Sequence, residues 1–401
     1  MTDAKRGGGE GFRKRGGTNP KRLTKHAAAK QRQILDALAN QDLEQLRKLA
    51  GTRGGFLSNA LRREVWPALL HCRGDSDPNS GSSDGADGDI PRDAVQVELD
   101  VNRSLTHLLP PNTGGKRLAR MRADLSGLII SVLQKHPYLH YYQGFHDVAT
   151  VCLLVLKPVL AARCLESLAL FYLRDYMTPT LQSALNQIHL LFPLLSRASP
   201  PIHTFLTQVD GLLPYFCLSW VITWYSHNIN NAERIARLFD FMIASNPLMP
   251  IYIAAAVVIS RKDLLLEEEP EYSSIHHFLS QFPANHNVEH LIKQAQSLYN
   301  SYPPHILQKI ARQRLGKASC VTRHAQDIER LPFAEHSDGN RPKNLIQRHI
   351  ADTTTSTAPS GALGGRFASN ARQVAWLAAF AATTAIAWYA LEIGAQYGYL
   401  A

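Results

Sequence analysis

The sequence lacks the short motifs that mark nucleotide and metal sites. Its 401 residues contain no G-x-x-x-x-G-K-[ST] loop, no G-x-G-x-x-G loop and no H-E-x-x-H pair. Glycine-rich loops serve where backbone amides must approach phosphates, and a His pair one helical turn apart serves where a helix supplies two zinc ligands. We therefore expect this chain to hold no nucleotide, metal or other cofactor of its own.

Cysteine is also scarce and dispersed. The five cysteines are Cys72, Cys152, Cys164, Cys217 and Cys320. None forms a C-x-x-C pair, and three lie inside apolar runs, where the thiol acts as a small hydrophobe. An odd, scattered set argues for a reducing compartment and against a zinc site or a disulfide framework.

Positive charge is in excess, but most of it lies in one tail. The net charge is +10, and the first thirty residues hold nine Lys and Arg against two Asp and Glu, which is seven of those ten charges. No apolar run follows, so residues 1–29 are not a secretory signal, and we expect a disordered tail. Contact with anionic lipid and simple solubilisation remain two interpretations of it. Nucleic-acid binding is disfavoured, because Phe12 alone could stack on bases.

Helical spacing dominates the remainder, which predicts an all-α fold. The hydrophobic fraction of 45% is enough for a sizeable core. We expect a helical lead-in over residues 30–55 and one large domain over 56–312. A Gly, Ser, Asp and Pro segment at 73–93 is predicted to be a flexible insertion, and 313–373 a polar linker. Strand-like alternation appears only around 95–101, where strand and helix both remain possible.

One uncharged run near the C-terminus predicts a membrane span. Residues 374–391 include no Asp, Glu, Lys or Arg, with Trp376 and Trp388 near its ends and Arg372 beside it. At about 1.5 Å per residue, such a helix nearly spans the hydrocarbon core of a bilayer. We expect a single-pass tail anchor with the domain in the cytosol. The alternative is an Ala-rich core or amphipathic helix. The short tail that follows has no Lys or Arg, which favours an endomembrane over the mitochondrial surface.

The stretch from His136 to Asp147 interrupts two apolar runs with aromatic, histidine and amide residues. Pro137 disfavours helical geometry in the residue before it, so the preceding helix should end there. Gly144 permits a close approach or a backbone angle that other residues avoid. Gln143 is thus placed at a helix boundary. Two interpretations remain: a helix–helix turn with buried tyrosines, or a glutamine directed at a reaction.

A second motif lies upstream, and together the two resemble a known signature. An I/V-x-x-D-x-x-R segment with Val97, Asp100 and Arg103 precedes a Y-x-Q-G segment with Tyr141 to Gly144. This ordered pair resembles the signature of TBC domains, the GTPase-activating domains for Rab proteins. The segment L-R-R-E-V-W ending at Trp66 and the later tryptophan and R-x-x-D helices are similar to other TBC motifs. The resemblance covers about residues 56–310.

The resemblance implies a helical TBC fold of two subdomains, and a helix rather than a strand over 95–105. That helix would let Asp100 orient Arg103, whereas a plain surface ion pair is the alternative. The implied catalytic residues are Arg103 and Gln143, supported by Asp100, Tyr141 and Gly144. A structural role is implied for a further set, of which the last two are expected to pair at i, i+3. This set is Arg62, Trp66, Trp220, Arg237 and Asp240.

The implied activity is that of an activator acting in trans on a GTP-bound Rab, not of a GTPase. GTP and Mg²⁺ would be carried by the Rab. The alternative is a membrane-anchored Rab-binding scaffold with negligible activity, which would bind equally well without Arg103 and Gln143.

The chain departs from the common TBC pattern after Gly144. Phe145, His146 and Asp147 stand where many members have Met-Asn. His146 and Asp147 could handle protons, but we favour a role in stabilising the turn. With the W-V-I-T-W-Y and N-P-L-M-P-I-Y stretches and the C-terminal span, the chain resembles the branch anchored in the endoplasmic reticulum. That likeness implies the Rab of early traffic from the endoplasmic reticulum to the Golgi.

Overall fold

The computed structural model describes residues 20–72, 90–105, 108–109, 112–284, 286–329 and 347–348, and every regular element in these ranges is helical. This confirms the all-α prediction. The helices are α1 Pro20–Ala39, α2 Leu43–Gly51, α3 Asn59–Leu69, α4 Ala94–Arg103, α5 Gly115–Lys135, α6 Phe145–Val155, α7 Pro158–Phe171, α8 Gln182–Ile188, α9 Leu191–Ala198, α10 Pro200–Gln208, α11 Leu218–Ile222, α12 Ala232–Ile243, α13 Met249–Ser260, α14 Lys262–Leu266, α15 Tyr272–Ser280, α16 Val288–Ser301, α17 Pro304–Ala311 and α18 Cys320–His324. They belong to one compact unit.

Helix α13 forms the centre of the core. Every residue from Met249 to Val258 is buried, as expected of a helix that is apolar on all sides. Helices α9, α11 and α16 pack around it. Because α13 has no polar face, it is enclosed by other helices and cannot form a surface of the domain.

A buried carboxylate on α12 joins the beginning of the domain to its later half. Asp240 is fully buried and accepts from Arg62 Nε at 2.9 Å and from Trp66 Nε1 at 2.8 Å. It also accepts from a second Arg62 nitrogen at 3.0 Å and from the backbone N–H of Phe56 at 3.0 Å. Gly55 lies beside it with φ +49°, and a Cβ there would come within 2.4 Å of an Asp240 oxygen. The structural role predicted for Arg62 and Trp66 thus has a specific partner.

The predicted pairing of Arg237 with Asp240 is wrong. Arg237 forms a salt bridge with Glu289 of α16 at 2.8 Å and donates to the carbonyl oxygens of Ala50 and Thr52. At i, i+3 the two α12 side chains are neighbours, but each finds a better-placed partner on another helix. Asp240 is taken by Arg62, whose planar guanidinium contacts both carboxylate oxygens.

The ambiguous segment around residue 97 is a helix, as the resemblance implied. Val97, Asp100 and Val101 are buried in α4, whereas Val95 and Leu99 are exposed. Burial therefore follows a period near 3.6 rather than 2, because α4 packs one face against α5 and α6. The alternating apolar residues are divided between the core and the surface.

Two segment boundaries differ from those predicted. Helix α1 begins at Pro20, ten residues before the expected lead-in, because proline suits a first helical turn and the alanines that follow favour helix. The insertion predicted over 73–93 ends before residue 92, because Arg92 and Asp93 bind other parts of the domain. Most of that insertion lies outside the described residues.

The segment after α17, predicted to be a linker, packs back onto the core as far as residue 329. Asp175 accepts from the backbone N–H of Cys320 at 3.0 Å and from the Ser319 hydroxyl. Arg174, fully buried, donates to the Ala318 carbonyl oxygen and to Asp327 at 2.9 Å. A polar composition suggested a linker, yet here the polar groups satisfy buried partners.

No helix in the part of the chain that the structure describes is long and apolar enough to cross a membrane. The predicted span at 374–391 lies outside the described residues, as do most of the predicted tail and linker.

Replacing Asp240 by alanine should strongly destabilise the domain. The change leaves the buried Arg62 guanidinium without its counter-charge, and breaking a buried pair from one side costs about 3–5 kcal/mol. The free energy of unfolding of residues 20–329, measured by urea denaturation, tests this. Glu44→Ala is the control, because its pair with Lys48 is exposed and should change little. A loss for Asp240→Ala as small as that of the control would contradict this account.

Candidate functional site

The predicted site residues converge where α4 ends and α6 begins. Arg103 lies in the last turn of α4, and Gln143 lies one residue before Gly144, the N-cap of α6. The Tyr141 hydroxyl donates to Asp100 Oδ2 at 2.9 Å. This bond joins the two motifs, because Asp100 is three residues from Arg103 and Tyr141 is two residues from Gln143. Segments forty residues apart in sequence thus meet at one place.

The side chain of Arg103 is held by a buried partner but remains half exposed. Asp100 Oδ1 accepts a bond from the Arg103 guanidinium and another from Gln96 at 3.1 Å. The Asp100 side chain is fully buried, whereas that of Arg103 is 52% exposed. The expected contact between Asp100 and Arg103 is therefore present. An arginine that is held by a buried carboxylate and remains exposed to solvent is available to a charged group on another molecule.

The loop that carries Gln143 is held on both sides. The backbone N–H of Tyr141 donates to Asp93 Oδ2 at 2.9 Å, and that of His140 donates to the Met177 carbonyl oxygen at 2.9 Å. On the other side, the Tyr142 hydroxyl donates to the Ile222 carbonyl oxygen at 2.9 Å. Gln143 itself is exposed between these contacts. Its amide is thus presented to solvent from a backbone with little freedom.

Gly144 is required for two reasons. Its φ of +115° belongs to the region that favours glycine, and a Cβ would come within 2.7 Å of Thr223 Cγ2. The left-handed residue reverses the chain directly after Gln143, so that α6 can begin against α11 and its following turn. Other residue types would strain the backbone next to Gln143.

The tyrosine at the junction remains protonated. Burial and, second, the Asp100 carboxylate raise the pKa of Tyr141 far above its ordinary value. The hydroxyl therefore acts as a donor to Asp100 at all physiological pH values. Its oxygen lies 2.9 Å from His146 Nδ1.

The remaining predicted residues lie away from this junction and form the scaffold. Trp220 is fully buried on α11 and meets Phe282 edge to face, with centroids 5.5 Å apart. Arg62, Trp66 and Asp240 form the buried cluster described above, and Arg237 binds α16. The structure thus separates these five residues from Arg103 and Gln143.

Sequence reasoning missed several residues that support the site. Asp93 holds the Tyr141 backbone, and Arg92 donates to the Leu139 carbonyl oxygen at 2.8 Å. An aspartate directly before a helical pattern is a usual start signal and could have drawn attention to this segment. Thr223 packs against Gly144, and His227 lies 3.2 Å from Asp147. No local signal marks either of these contacts.

Among the described residues, no group of three or more His, Cys, Asp and Glu side chains is arranged to hold a metal ion. The polar groups at the junction are an exposed guanidinium and an exposed amide beside a buried carboxylate and a partly buried phenol. Such a set can stabilise negative charge and orient a water molecule on a partner.

Comparison with known proteins identifies relatives across most of the chain. The family described as RabGAP-TBC, the Rab-GTPase-TBC domain, matches residues 59–266. TBC1 domain family member 20 from Bos taurus is 34% identical over 345 residues, covering 85% of this chain and 82% of the relative. GTPase-activating protein gyp10 from Schizosaccharomyces pombe is 33% identical over 295 residues, covering 72% and 77%. The solved Ypt/Rab-GAP domain of Gyp1p superposes with a TM-score of 0.52 at 15% identity, covering 67% of this chain and 99% of that domain. This last likeness confirms the TBC fold.

Gly144→Ala should destabilise the domain by about 1–3 kcal/mol, because a non-glycine residue is strained at this φ and its Cβ meets Thr223. Adding Thr223→Ser should recover part of the loss. Serine lacks the obstructing methyl but keeps the hydroxyl that donates to the Ser219 carbonyl oxygen. Urea denaturation measures both.

Gly127→Ala is the matched control for this test. Gly127 lies within α5, with nothing within 4 Å of an added Cβ. There, alanine should stabilise the helix by about 0.5–1 kcal/mol. Equal effects at Gly127 and Gly144 would show that the left-handed turn is not required.

Proposed function

The chain belongs to the Rab-GTPase-TBC domain family, and from this premise we propose that it accelerates GTP hydrolysis on a Rab-family GTPase by supplying Arg103 and Gln143 in trans. It binds no nucleotide in this account. GTP and Mg²⁺ are carried by the Rab, in its GTP form, and this chain is an activator rather than a GTPase.

Arg103 supplies the charge stabilisation that a slow GTPase lacks. Negative charge spreads over the phosphoryl oxygens as the bond to the leaving group breaks, and an arginine supplied from outside stabilises it. Such an arginine is worth about three to five powers of ten in rate, or roughly 4–7 kcal/mol. The planar fork of the guanidinium suits this role, and lysine would not replace it.

Gln143 orients the attacking water molecule, which a slow GTPase positions poorly. A glutamine amide donates through its nitrogen and accepts through its oxygen, so it can bind a water molecule and a phosphate oxygen together. Its place on a restrained loop limits the entropy lost when the complex forms.

The observation that carries the proposal is that these two exposed groups are supported by the same contact, between Asp100 and Tyr141. Asp100 is buried and Tyr141 is partly buried, and they bind each other at 2.9 Å. Each belongs to the motif of one exposed residue, so the contact sets the position of Arg103 and Gln143 relative to each other. If the two motifs were purely structural, the Arg103 guanidinium and the Gln143 amide would not both need to be exposed to solvent.

A surface beside Arg103 is suited to docking the partner. Val95 and Leu99 are 72% and 55% exposed, and they precede Arg103 by eight and four residues on one face of α4. Ile90, 81% exposed, lies just before the helix. An apolar stripe that continues into the arginine supports a partner that covers both at once.

We further propose that the substrate is the Rab of early traffic from the endoplasmic reticulum to the Golgi. We also propose that the chain is held at the endoplasmic reticulum membrane by residues 374–391, with the domain in the cytosol. These proposals are supported by the uncharged run and by the motif variants of the sequence, and the run lies outside the described residues.

Phosphate release from a panel of GTP-loaded Rabs, with the full-length chain as activator, tests the activity. One or a few Rabs should be strongly accelerated. Arg103→Ala should remove about a thousandfold or more of the acceleration, and Gln143→Ala about a hundredfold. Binding of a Rab without acceleration, equally strong in both variants, would favour a membrane-anchored scaffold instead.

The same assay separates docking from chemistry. Leu99→Asp should raise KM for the Rab about tenfold or more while leaving kcat unchanged, because it places a charge in the apolar stripe. Val159→Asp is the matched control, since Val159 is similarly exposed but lies beyond the far end of α6. If both changes act alike, the stripe is not the docking surface.

Deleting residues 374–401 should release the protein from membranes, because the proposed span is lost. Alkaline carbonate extraction of membrane fractions measures this. A single Ala382→Arg change should weaken insertion, since arginine at the centre of a span costs about 2.5–3.5 kcal/mol. If the truncated chain instead loses stability and the full chain is extracted as a soluble protein, residues 374–391 form a core helix.

A further inference from the structure

His146 lies behind the junction of the two motifs, next to the hydroxyl of Tyr141. It is the second residue of α6, and its side chain is 12% exposed. Its Nδ1 is 2.9 Å from the Tyr141 oxygen. On the other side of the ring, Nε2 lies 3.5 Å from Asp147 Oδ1. The ring therefore lies between Tyr141 and Asp100, whose Oδ2 is 3.8 Å from Nδ1, on one side and the buried Asp147 carboxylate on the other.

The hydrogen bonds of Tyr141 determine which imidazole nitrogen carries a proton. A tyrosine hydroxyl has one proton, and Asp100, which also binds Arg103, can only accept. The hydroxyl proton therefore points at Asp100, and the oxygen must accept from the other side. His146 is thus held with a proton on Nδ1, donating to Tyr141.

The turn at Gly144 is closed by backbone bonds as well as by the His146–Tyr141 contact that spans it. The start of α6 is closed by backbone bonds, from the N–H of Asp147 to the Gly144 carbonyl oxygen at 3.1 Å and from that of Val148 to the same oxygen at 3.5 Å. The His146 carbonyl oxygen is engaged by the Thr150 hydroxyl at 2.8 Å. The imidazole is left to act on Tyr141.

A continuous chain of polar contacts therefore leads to the arginine. It runs from His146 through Tyr141 and Asp100 to Arg103. Asp147, 3.5 Å from His146 Nε2, binds His227 at 3.2 Å, and this bond raises the pKa of His227. The Asp100 carboxylate and the His146 ring therefore both contact the Tyr141 hydroxyl, and together they restrict its orientation.

We propose that His146 is a positioning residue for Arg103: by donating from Nδ1 to Tyr141, it directs the tyrosine hydroxyl to Asp100 and so fixes the guanidinium for catalysis. This inference rests on the proposed function. His146 does not touch the partner in this account, so its loss should alter the rate of the bound complex and not its formation.

The test uses the full-length chain and the Rab that responds most strongly in the panel, with kcat and KM measured for each variant. His146→Ala should lower kcat about ten- to a hundredfold, since small displacements of a catalytic group cost up to about two powers of ten. KM should stay within about twofold. His146→Asn should restore kcat to within about threefold, because the asparagine nitrogen can donate from nearly the position of Nδ1.

Two double variants show whether the effect passes through the chain of contacts. His146→Ala combined with Tyr141→Phe should be no slower than Tyr141→Phe alone, because the shared bond is already lost. In the Arg103→Ala background, His146→Ala should have no further effect on kcat. Full additivity in either pair would overturn the proposal.

His189→Ala is the matched control. His189 Nε2 lies 3.2 Å from the Tyr215 hydroxyl, which is a histidine–tyrosine contact of the same kind at the end of α8. This variant should leave kcat unchanged, and thermal unfolding of all variants shows any loss of folded protein.

Four outcomes are decisive. An active wild type with His146→Ala unchanged in kcat overturns the inference and leaves the proposed function standing. A loss that asparagine does not restore, or that matches the loss of His189→Ala, shows a structural role and also overturns it. If the wild type accelerates no Rab, the proposed function fails, and the inference fails with it. Rescue by asparagine with both non-additive pairs establishes it.

Discussion

The buried carboxylate of Asp240 is the interaction on which the remainder of the domain depends. A charge removed from water is costly unless it is fully paired, and here two guanidinium nitrogens, an indole and a backbone amide surround it. These donors come from α3 and the loop before it, whereas Asp240 belongs to α12. Since α12 also packs against α6, the helix that follows Gly144 is positioned relative to α3 through the same contact.

The candidate site repeats this arrangement on a smaller scale, with a buried carboxylate as its centre. Asp100 is surrounded by Gln96, Tyr141 and Arg103, but here one of the paired groups remains half exposed. A guanidinium enclosed like that of Arg62 can only stabilise the fold, whereas the half-exposed guanidinium of Arg103 is accessible to a charged group on another molecule while Asp100 still binds it.

Part of this organisation was predictable, and the errors have physical causes. The motif pair, the glycine turn and the helix starting after Ser58 are local patterns, since capping and left-handed turns depend on a few adjacent residues. The pairing of Arg237 with Asp240 was wrong because side chains at i, i+3 are near each other in every helix, and proximity does not decide which partner is better placed. The segment beyond residue 312 seemed a linker because polar composition does not reveal buried partners such as Asp175 and Arg174.

By itself, the sequence determined the helical class, the two motifs and the residues able to stabilise charge and orient water. Periodicity and turn chemistry act over a few residues, and those are visible in the chain. Only the tertiary structure decided that Asp100 meets Tyr141, that His146 lies behind that contact and that Thr223 closes against Gly144. Such contacts join residues separated by many positions, and their geometry exists only after the helices between them have packed.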